Sequence, residues 1–336
     1  MRLILKADDI TLKILENLSE RPTSGEVLAR KIGISRTAIW KNIMKLKKFG
    51  YEITSAKGMG YKLEKCPDLS PYEVLKVCKK LKLMNKLVKE IHYYKVVDST
   101  NTRAKEERKP GLLIVAERQT KGKGRFGRKW YSEKGGLYLT ITLPGLFSID
   151  DLPKISLLAG VSVCKALNFL NAKIKWPNDI LIENKKVCGI LCETIGEYES
   201  LLVLVGIGVN VNNELPKELS NATSLKNITG KKMEICKILE KILLNFFRSY
   251  EFVLKFGWSD IIKEWKKHTE TIGKTVKIVT ANMKLIGKAL DINENGSLII
   301  KTKSGEIHEV SAGECIHLNH PAGDPFLSEG EKSGKF

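Results

Sequence analysis

Paired cysteines and long apolar runs are both missing from this sequence, and their absence excludes several classes of protein. The seven cysteines are scattered, with no C-x-x-C pair and no nearby histidine at metal spacing, which argues for reduced thiols rather than a disulfide framework. Cys188 and Cys192 would share one face of a strand, where core packing is expected and zinc binding is the alternative. No stretch approaches the roughly 18 apolar residues of a membrane span, and residues 1–10 lack the apolar run of an export signal. The sequence therefore predicts a cytoplasmic protein without a membrane segment.

Positive charge is in excess and unevenly distributed. The 336 residues carry a formal net charge of +19, and residues 1–65 alone hold 14 Lys and Arg against 7 Asp and Glu, a net of +7. This excess predicts attraction to a polyanion such as nucleic acid, or to acidic partners, although solubility alone would account for part of it. With 43% hydrophobic residues and no internal repeat, the chain is long enough for two or three domains.

The N-terminal region has the pattern of a winged helix-turn-helix. Apolar residues at helical spacing predict a helix over residues 8–18, a second that ends at Gly33, and a third that begins after the N-cap Ser35. A β-hairpin is predicted at residues 52–63. The third helix is suited to a DNA major groove. Its predicted DNA contacts are Ser35, Arg36, Thr37, Trp40, Lys41 and Lys45. A helical protein-interaction module with a solvated basic face is the alternative.

A glycine-rich stretch from Gln119 to Tyr131 combines three glycines with five Lys or Arg residues. Such a loop can close over an anion and neutralise it. Its G-x-G-x-x-G spacing matches a dinucleotide fingerprint, but a strand is predicted after the loop where that fingerprint needs a helix. A P-loop is excluded because Arg128 and Lys129 follow Gly127 where Lys and Ser or Thr are required. The stretch is therefore predicted to be a strand-to-strand, phosphate-handling loop, with a solvated basic loop as the alternative.

The rest of the chain predicts a mixed α and β region followed by a small β domain. The polar run Asp98–Asn101 follows a predicted strand and suits both helix capping and hydrogen bonding to a small polar ligand. From residue 274 the periodicity is two, with five short strands separated by turns, which describes a small barrel. The predicted fold class is multi-domain α+β. Its segments are a winged helix at 1–66, a linker helix at 67–90, an α/β domain at 91–270, the barrel at 271–320 and a disordered tail at 321–336.

Four motifs together carry a resemblance to a known family. They are G-K-G-R-F-G-R-K-W at residues 122–130, K-W-P-N-D at 175–179, Lys186 before G-I-L at 189–191, and G-I-G-V-N at 206–210. The set resembles the biotin protein ligases. With the winged helix in front and a small SH3-like barrel behind, it resembles the bifunctional bacterial form that also represses the biotin operon. The resemblance covers the chain up to the predicted tail, and Lys123 departs from the best-known members, which carry Arg there.

The resemblance implies an activity and a set of site residues. Biotin and ATP would form biotinyl-5′-AMP and pyrophosphate, with Mg²⁺ neutralising the triphosphate through unassigned ligands. A lysine of a biotin carboxyl carrier protein would then attack the adenylate. The implied catalytic residues are Lys186, Arg125, Arg128 and Asp179. The implied biotin ligands are Ser99, Thr100, Asn101, Gln119, Gly122, Lys123, Gly124, Arg125, Lys186, Gly189 and Leu191. The implied ATP and adenylate ligands are Lys123, Arg125, Arg128, Trp130, Asn178, Lys186 and Asn210.

The same resemblance implies partners and leaves alternatives open. Adenylate would order the glycine-rich stretch and favour a homodimer, whose two winged helices would span a palindromic biotin operator. Asp179 would meet magnesium or the incoming amine, or would only shape a turn. A lipoyl or octanoyl ligase has a similar catalytic domain and is one alternative. A DNA-binding regulator with an inactive, biotin-sensing ligase domain is the other.

Overall fold

The computed structural model of the protein describes residues 2–56, 60–144, 151–196, 201–280 and 283–318. The chain divides into a first unit, Met1–Leu146 with Val187–Asn245, and a second unit, Phe147–Lys186 with Phe246–Phe336. The disordered tail predicted at 321–336 lies outside the described residues. None of the described helices is long and apolar enough to cross a membrane.

Three helices and a hairpin form the predicted winged helix, with one strand before them. The elements are β1 (Arg2–Leu5), α1 (Ile10–Glu16), α2 (Gly25–Ile32), α3 (Arg36–Lys48), β2 (Glu52–Ala56) and β3 (Gly60–Lys65). The side chains of Ser24 and Ser35 accept hydrogen bonds from backbone N–H groups in the first turns of α2 and α3. Gly33 takes the left-handed conformation, φ 78°, that ends α2 and sets the turn into α3.

The remaining elements are a mixture of helices and strands, followed by the five C-terminal strands. In chain order they are α4 (Pro71–Lys80), β4 (Glu90–Tyr94), α5 (Thr100–Glu107), β5 (Leu112–Ala116), β6 (Leu137–Pro144), α6 (Leu152–Ala166), β7 (Lys173–Lys175), β8 (Asp179–Ile182), β9 (Lys185–Ile195), β10 (Leu202–Val209), α7 (Leu225–Thr229), α8 (Ile235–Phe256), α9 (Ser259–His268), β11 (Thr275–Val279), β12 (Lys284–Ile292), β13 (Leu298–Lys301), β14 (Ile307–Val310) and β15 (Glu314–His317).

The strand that precedes the winged helix belongs to the sheet that follows it. The sequence predicts residues 1–66 as one winged-helix domain, but β1 pairs antiparallel with β4, from Arg2 opposite Tyr94 to Leu5 opposite Ile91. Arg2 also forms an ion pair with Glu107 at the end of α5. A four-residue edge strand with one buried side chain gives too short an alternation to be recognised from sequence.

The predicted linker helix is α4, and it is packed on both sides. Its buried face contacts α1, β1 and β4. The Tyr72 ring lies edge-on to Phe49, which ends α3, at 5.9 Å between centroids, and Phe49 lies edge-on to Tyr93 of β4 at 6.1 Å. Lys95 donates a hydrogen bond to the Lys48 carbonyl at 2.7 Å. Aromatic packing and this bond therefore fix the winged helix against the α/β sheet.

One sheet organises the first unit. Its strand order is β1-β4-β5-β6-β10-β9; β4 and β5 are parallel, and the other neighbours are antiparallel. α5 connects β4 to β5 and packs against β5, β6 and β10. β5 and β10 are buried throughout, and so is β6 except for its last residue, Pro144, as strands covered on both faces must be.

The second unit joins α6 and a short hairpin to the C-terminal strands. α6 packs against α9, β7 and β8. The five C-terminal strands predicted from the period-two pattern are confirmed as one antiparallel sheet in the order β14-β13-β12-β11-β15. Hydrogen bonds from Lys165 and Lys267 lower the pKa of the Glu264 carboxyl to about 2, which marks this carboxylate as an anchor between α6 and α9.

Candidate functional site

The polar run Ser99–Asn101 lies at the start of α5, and all three side chains are buried. Ser99 is the N-cap residue, yet its side chain makes no capping hydrogen bond. Helix capping therefore does not account for its hydroxyl. The partners of Thr100 and Asn101 come from β6, β9 and the glycine-rich stretch.

Thr100 is held by Gln119, the first residue of the glycine-rich stretch. Gln119 Oε1 accepts from the Thr100 backbone N at 2.7 Å and from its hydroxyl at 3.1 Å. Gln119 Nε2 donates to Ser132 Oγ at 3.0 Å, and Ser132 donates to the Trp130 carbonyl at 3.0 Å. These bonds set the orientation of the Gln119 amide and tie both ends of the stretch to α5.

Asn101 is held at both ends of its amide. Thr140 Oγ1 donates to Asn101 Oδ1 at 2.6 Å, and Asn101 Nδ2 donates to Glu193 Oε2 at 2.8 Å. Lys105 neutralises Glu193 with its ammonium 2.6 Å from the other carboxylate oxygen. A Cβ at Gly206 would lie 2.3 Å from Asn101 Oδ1. The first glycine of the G-I-G-V-N motif is therefore required by the side chain that it faces.

The glycine-rich stretch forms a small hairpin between β5 and β6, which confirms the predicted strand-to-strand loop. The Trp130 N–H donates to the Gly122 carbonyl at 2.9 Å. A Cβ at Gly122 would lie 2.4 Å from the Trp130 carbonyl oxygen and 2.5 Å from Ser132 Oγ. Gly122 therefore lets the two arms of the hairpin meet. The prediction that adenylate orders this loop stays a prediction.

The tip of the hairpin carries the predicted phosphate ligands. Gly124 N–H donates to the Arg128 carbonyl at 2.7 Å, and Phe126 turns the chain with a φ of 56°. The Phe126 side chain is 63% exposed, and the Arg125 guanidinium lies over its ring at 5.0 Å from the centroid. Lys123 and Arg128 are exposed. The hairpin thus presents three of its cations close to its tip, where an anion has open access.

Trp130 and Asn210, two of the predicted adenylate ligands, lie beside the end of β10. A Cβ at Gly208 would fall 2.3 Å from Trp130 Nε1, so the indole rests on that glycine. The Asn210 backbone N donates to the Val187 carbonyl at 2.8 Å, and Asn210 Oδ1 accepts from Asn213 Nδ2 at 3.1 Å. Asn213 therefore fixes the orientation of the Asn210 amide by donating to its oxygen.

Gly189 and Leu191 lie on β9, where the G-I-L motif pairs with the G-I-G-V-N motif. Gly189 is opposite Gly208 and Leu191 is opposite Gly206. Two facing glycines leave the sheet without side chains at that point, which lets the Trp130 indole lie against the backbone of Gly208. The structure thus brings Gly189, Leu191 and the Asn101 corner to neighbouring positions of one sheet.

Asp179 and Lys186 form an ion pair in the second unit. Lys186 Nζ lies 2.6 Å from Asp179 Oδ1, and both side chains are partly exposed. The chain turns between them at Glu183 and Asn184, with φ values of 51° and 61°, as a two-residue hairpin loop requires. Asn178 directly precedes Asp179. The turn therefore brings together Asp179 and Lys186, which are both predicted catalytic residues.

Metal-binding side chains are not clustered in the part of the chain that the structure describes. No group of three His, Cys, Asp or Glu residues that could hold a metal ion occurs there. Cys188 is buried and Cys192 half-buried on β9. Asp179 is paired with Lys186. The role of Asp179 toward magnesium therefore stays a prediction.

The exposed face of α3 adjoins a groove of about 500 Å³ beside the wing. Ser35, Arg36, Thr37, Trp40 and Lys41 are exposed on this helix as predicted. The residues that line the groove are Ser24, Gly25, Glu26, Arg36, Trp40, Ile43, Met44, Lys47, Ser55, Gly60 and Tyr61. The groove adds Met44 and Lys47 of α3 to the face that the sequence predicts.

Lys45 is half-buried, so it does not belong to the exposed face on which the sequence places it, and its DNA contact stays a prediction. Its ammonium lies 5.6 Å from the centroid of the Tyr72 ring and 3.4 Å from Thr11 Oγ1. Lys45 precedes the buried Leu46, on the side of α3 that meets α1 and α4. The Lys45 side chain therefore contributes to the packing of α3 against Thr11 of α1 and Tyr72 of α4.

The residues that hold the site residues in place were missed by sequence reasoning. Thr140, Ser132 and Glu193 lie in or beside strands, and each looks like an ordinary polar residue of a sheet. Only strand register brings them to Asn101 and Gln119. Asn213 had a sequence signal, because it follows Asn210 in the run N-V-N-N at residues 210–213.

Three family models match the chain. The Biotin/lipoate A/B protein ligase family matches residues 93–211, an HTH domain matches 11–62, and the Biotin protein ligase C terminal domain matches 271–318. The bifunctional ligase/repressor BirA of Bacillus subtilis is 34% identical over 318 residues, which cover 91% of this chain and 96% of that protein. The Escherichia coli protein of the same name is 26% identical over 325 residues, or 92% and 98% of the two chains.

A solved structure agrees with these relatives. The biotin protein ligase from Aquifex aeolicus in complex with biotin and ATP aligns with a TM-score of 0.61 and 35% identity, covering 67% of this chain and 97% of that one. The match to the Bacillus protein extends over nearly the full length of both chains. The chain therefore belongs to the family of the bifunctional ligase/repressor BirA, biotin protein ligases that carry a helix-turn-helix domain.

Proposed function

We propose that this protein is an ATP-dependent biotin protein ligase that also represses transcription by binding operator DNA. In the first step the biotin carboxylate attacks the α-phosphate of ATP, so that biotinyl-5′-AMP forms and pyrophosphate leaves. In the second step the ε-amine of a lysine on a biotin carboxyl carrier protein attacks the acyl carbon, forms an amide and releases AMP. Mg²⁺ accompanies ATP as its counter-ion.

The neutral, hydrogen-bonded corner formed by Thr100, Asn101 and Gln119 carries the ligase proposal. A urea ring has two N–H donors and one carbonyl acceptor and no charge, so it needs oriented partners rather than a counter-ion. Hydroxyl and amide groups supply such partners, and Thr140 and Ser132 hold them in one orientation. The dithiolane ring of lipoate has no comparable hydrogen-bonding groups, so this corner favours biotin over the lipoyl alternative.

Cations bring the two anionic reactants together. A carboxylate and a triphosphate repel each other, and stabilising them calls for fixed positive charge and backbone N–H groups more than for a general base. We assign this role to Lys123, Arg125 and Arg128 of the hairpin and to Lys186. Asp179, 2.6 Å from the lysine, keeps the ammonium in one position. Lys186 would then steady the charge that develops on the acyl oxygen.

Trp130 and Asn210 are assigned to the adenosine. The indole offers a flat apolar surface for stacking, and Asn210 Nδ2 offers a donor to a ring nitrogen. Asn213 supports this assignment because it occupies Asn210 Oδ1. Gly189 and Leu191 are assigned to the apolar tail of biotin, since they lie on the strand that also carries Glu193, the partner of Asn101.

A competition between labelled acids tests the ligase proposal. The protein is incubated with ATP, a biotin carboxyl carrier domain and either labelled biotin or labelled lipoate. Biotin is expected to become covalently attached to the carrier only when ATP is present. Covalent lipoate in place of biotin would establish the lipoyl alternative, and no covalent label with either acid would leave a sensing regulator.

The catalytic role assigned to Lys186 is tested by alanine substitution, with the neighbouring Lys185 as the control. Lys186→Ala is expected to abolish the exchange of labelled pyrophosphate into ATP that biotin supports. Lys185→Ala removes the same charge from the neighbouring, exposed position of β9 and is expected to leave the exchange rate unchanged. A normal exchange rate in Lys186→Ala would contradict its role.

Operator binding is favoured by the exposed face of α3. Arg36 and Lys41 are solvent-exposed cations there, and Trp40, 53% exposed, lies between them. Replacing Arg36 and Lys41 with Ala is expected to weaken operator binding and to lower the slope of log K against log salt by about 2. Lys45→Ala is the control, because that side chain packs inward. Equal effects of the two changes would refute the assignment.

We also infer that adenylate favours a homodimer, since two winged helices would match the two halves of a palindromic operator. Sedimentation with biotin and ATP should then show a larger species than sedimentation without them, and identical sedimentation would contradict the dimer. ATP, the carrier protein and the operator are all met in the cytoplasm, which is where we place the protein.

A further inference from the structure

The buried indole of the K-W-P-N-D segment is hydrogen-bonded to the C-terminal sheet. Trp176 is 1% exposed. Its backbone N–H donates to Thr271 Oγ1 at 2.9 Å, and its indole Nε1 donates to the Gly296 carbonyl at 3.1 Å. Thr271 lies just before β11, and Gly296 lies in the turn between β12 and β13. Two separate parts of the C-terminal domain therefore hold one tryptophan from different sides.

A second bond fixes the hydroxyl that accepts from Trp176. Thr271 Oγ1 lies 3.1 Å from His317 Nε2 in β15. Burial, with two nearby lysines, lowers the pKa of the His317 imidazole to about 4, so the ring is neutral at neutral pH and Nε2 can accept. The hydroxyl accepts a hydrogen bond from the Trp176 N–H and shares a second one with His317 Nε2, in which the tautomer of the neutral ring sets the donor.

The hydrogen bonds that join Trp176 to Gly296 and Thr271, and Thr271 to His317, called the relay below, connect through β7 to the predicted catalytic pair Asp179–Lys186. Trp176 directly follows β7, whose last residue, Lys175, pairs with Asp179 at the start of β8. Asp179 in turn holds Lys186 at 2.6 Å. The backbone of β7 is held on the same side, because Glu270 N–H donates to the Ile174 carbonyl at 2.8 Å. A shift of Trp176 therefore moves the strand that positions the ion pair.

We propose that Thr271, Gly296 and His317 are positioning residues for adenylate formation, acting through Trp176 on the Asp179–Lys186 pair. The inference rests on the proposed ligase function. It assigns to the C-terminal sheet a task in the first chemical step, in addition to any contact with the carrier protein. Because the corner assigned to the ureido ring belongs to the other unit of the chain, loss of these hydrogen bonds lowers the rate of adenylation far more than the affinity for biotin.

The test compares two substitutions of Thr271 in the full chain. Thr271→Val keeps the shape but loses the hydroxyl, and it is expected to lower the kcat of pyrophosphate exchange about 10- to 100-fold, the size of effect that a misplacement near 1 Å produces. Thr271→Ser restores the hydroxyl and is expected to restore exchange. The Kd for biotin, measured by calorimetry, should be the same in both.

A stability control separates positioning from mere folding. Val310 is buried on β14, at the far edge of the same sheet, so Val310→Ala should lower the melting temperature without touching Trp176. His317→Leu removes the acceptor and should reduce exchange, while His317→Gln keeps an acceptor and should retain more of it. These two variants also serve if Thr271→Val does not fold.

Three outcomes would overturn the inference. They are unchanged exchange in both Thr271→Val and His317→Leu, an equal loss of exchange in Val310→Ala, and a loss of biotin affinity that matches the loss of exchange. Failure of the proposed function is distinguishable, because the unaltered protein would then show no biotin-dependent exchange at all. Unchanged exchange in Lys186→Ala would refute the catalytic assignment and, with it, the endpoint of the relay.

Discussion

Replacing Thr140 with valine would remove one hydroxyl from the buried biotin corner and leave its shape unchanged. The Thr140 hydroxyl is fully buried, 2.6 Å from Asn101 Oδ1 and 2.8 Å from Thr100 Oγ1. Valine occupies nearly the same volume, so no cavity opens. The change therefore removes the contacts of this hydroxyl with Asn101 and Thr100 and leaves the packing in place.

The expected magnitude follows from the acceptor that is left behind. Asn101 Oδ1 would stay buried without its donor, which costs about 1–3 kcal/mol. We expect about 1–2 kcal/mol of this to appear in biotin binding, because the amide no longer holds one orientation toward the ligand. That energy corresponds to a rise of about 5- to 30-fold in the Kd for biotin, since 1.4 kcal/mol is a factor of 10.

Thr142 on the same strand offers a matched control. Its side chain is also fully buried; the hydroxyl accepts from Leu112 N–H at 2.8 Å and donates to the Lys109 carbonyl at 2.7 Å. Thr142→Val therefore loses hydrogen bonds of the same kind away from the corner. Thermal unfolding should show a comparable loss of stability in both variants, and calorimetry should show weaker biotin binding in Thr140→Val only.

Two results would refute this reasoning. If Thr142→Val weakened biotin binding as much as Thr140→Val, the effect would come from general destabilisation of β6. If Thr140→Val bound biotin with unchanged affinity, the Asn101 amide would not depend on this hydroxyl for its orientation. Either result would also remove the support that the corner gives to a urea-binding site.

Three further substitutions test the two sides of the site and one ion pair. Gly206→Ala places a methyl group 2.3 Å from Asn101 Oδ1 and should raise the KM for biotin, whereas Gly208→Ala meets Trp130 Nε1 at 2.3 Å and should raise the KM for ATP. Steady-state kinetics of the two glycine variants, with biotin and then ATP varied, will measure both KM values. If the two variants raised the same KM, the assignments of Gly206 to biotin and Gly208 to ATP would be contradicted. Glu264→Gln removes a carboxyl whose pKa is lowered from 4.5 to about 2 by lysine hydrogen bonds. Because the folded-state pKa is the lower one, this stabilisation is present above pH 4.5 and is lost as the pH falls toward 2. Urea unfolding should therefore show the variant less stable than the unaltered protein at neutral pH and similar to it near the acid limit; a gap independent of pH would disprove the contribution.

The elements with a strong local signal were predictable from the sequence. The strand-to-strand nature of the glycine-rich stretch follows from the absence of a helix start after Gly127, and β5 and β6 confirm it. The five C-terminal strands follow from their period of two and their Asn-Gly and Ser-Gly turns. The helix-turn-helix follows from its caps, since Ser35 and Gly33 each carry a specific backbone requirement.

What the sequence did not predict depends on contacts between distant segments. Thr140 and Glu193 meet Asn101 because β6, β10 and β9 pair in one register, which no local pattern specifies. Lys45 looks like its exposed basic neighbours until α4 places Tyr72 beside it. The hydrogen bonds between Trp176 and the C-terminal domain were not predictable either, because they join residues about a hundred positions apart in the sequence.

The pairing of β1 with β4 makes the winged helix an insertion rather than an appendage. Residues 11–62, which match the HTH domain, lie in sequence between β1 and β4, two neighbouring strands of one sheet. The chain therefore connects this domain to the sheet at both of its ends. A module held at two points cannot swing on a single linker, so its orientation is set by the enzyme that carries it. Excising residues 2–65 would also strip the edge of that sheet, leaving the backbone groups of β4 open to pairing with another chain. The winged helix and the sheet of the first unit are therefore parts of one folded unit, and neither can be removed cleanly from the other.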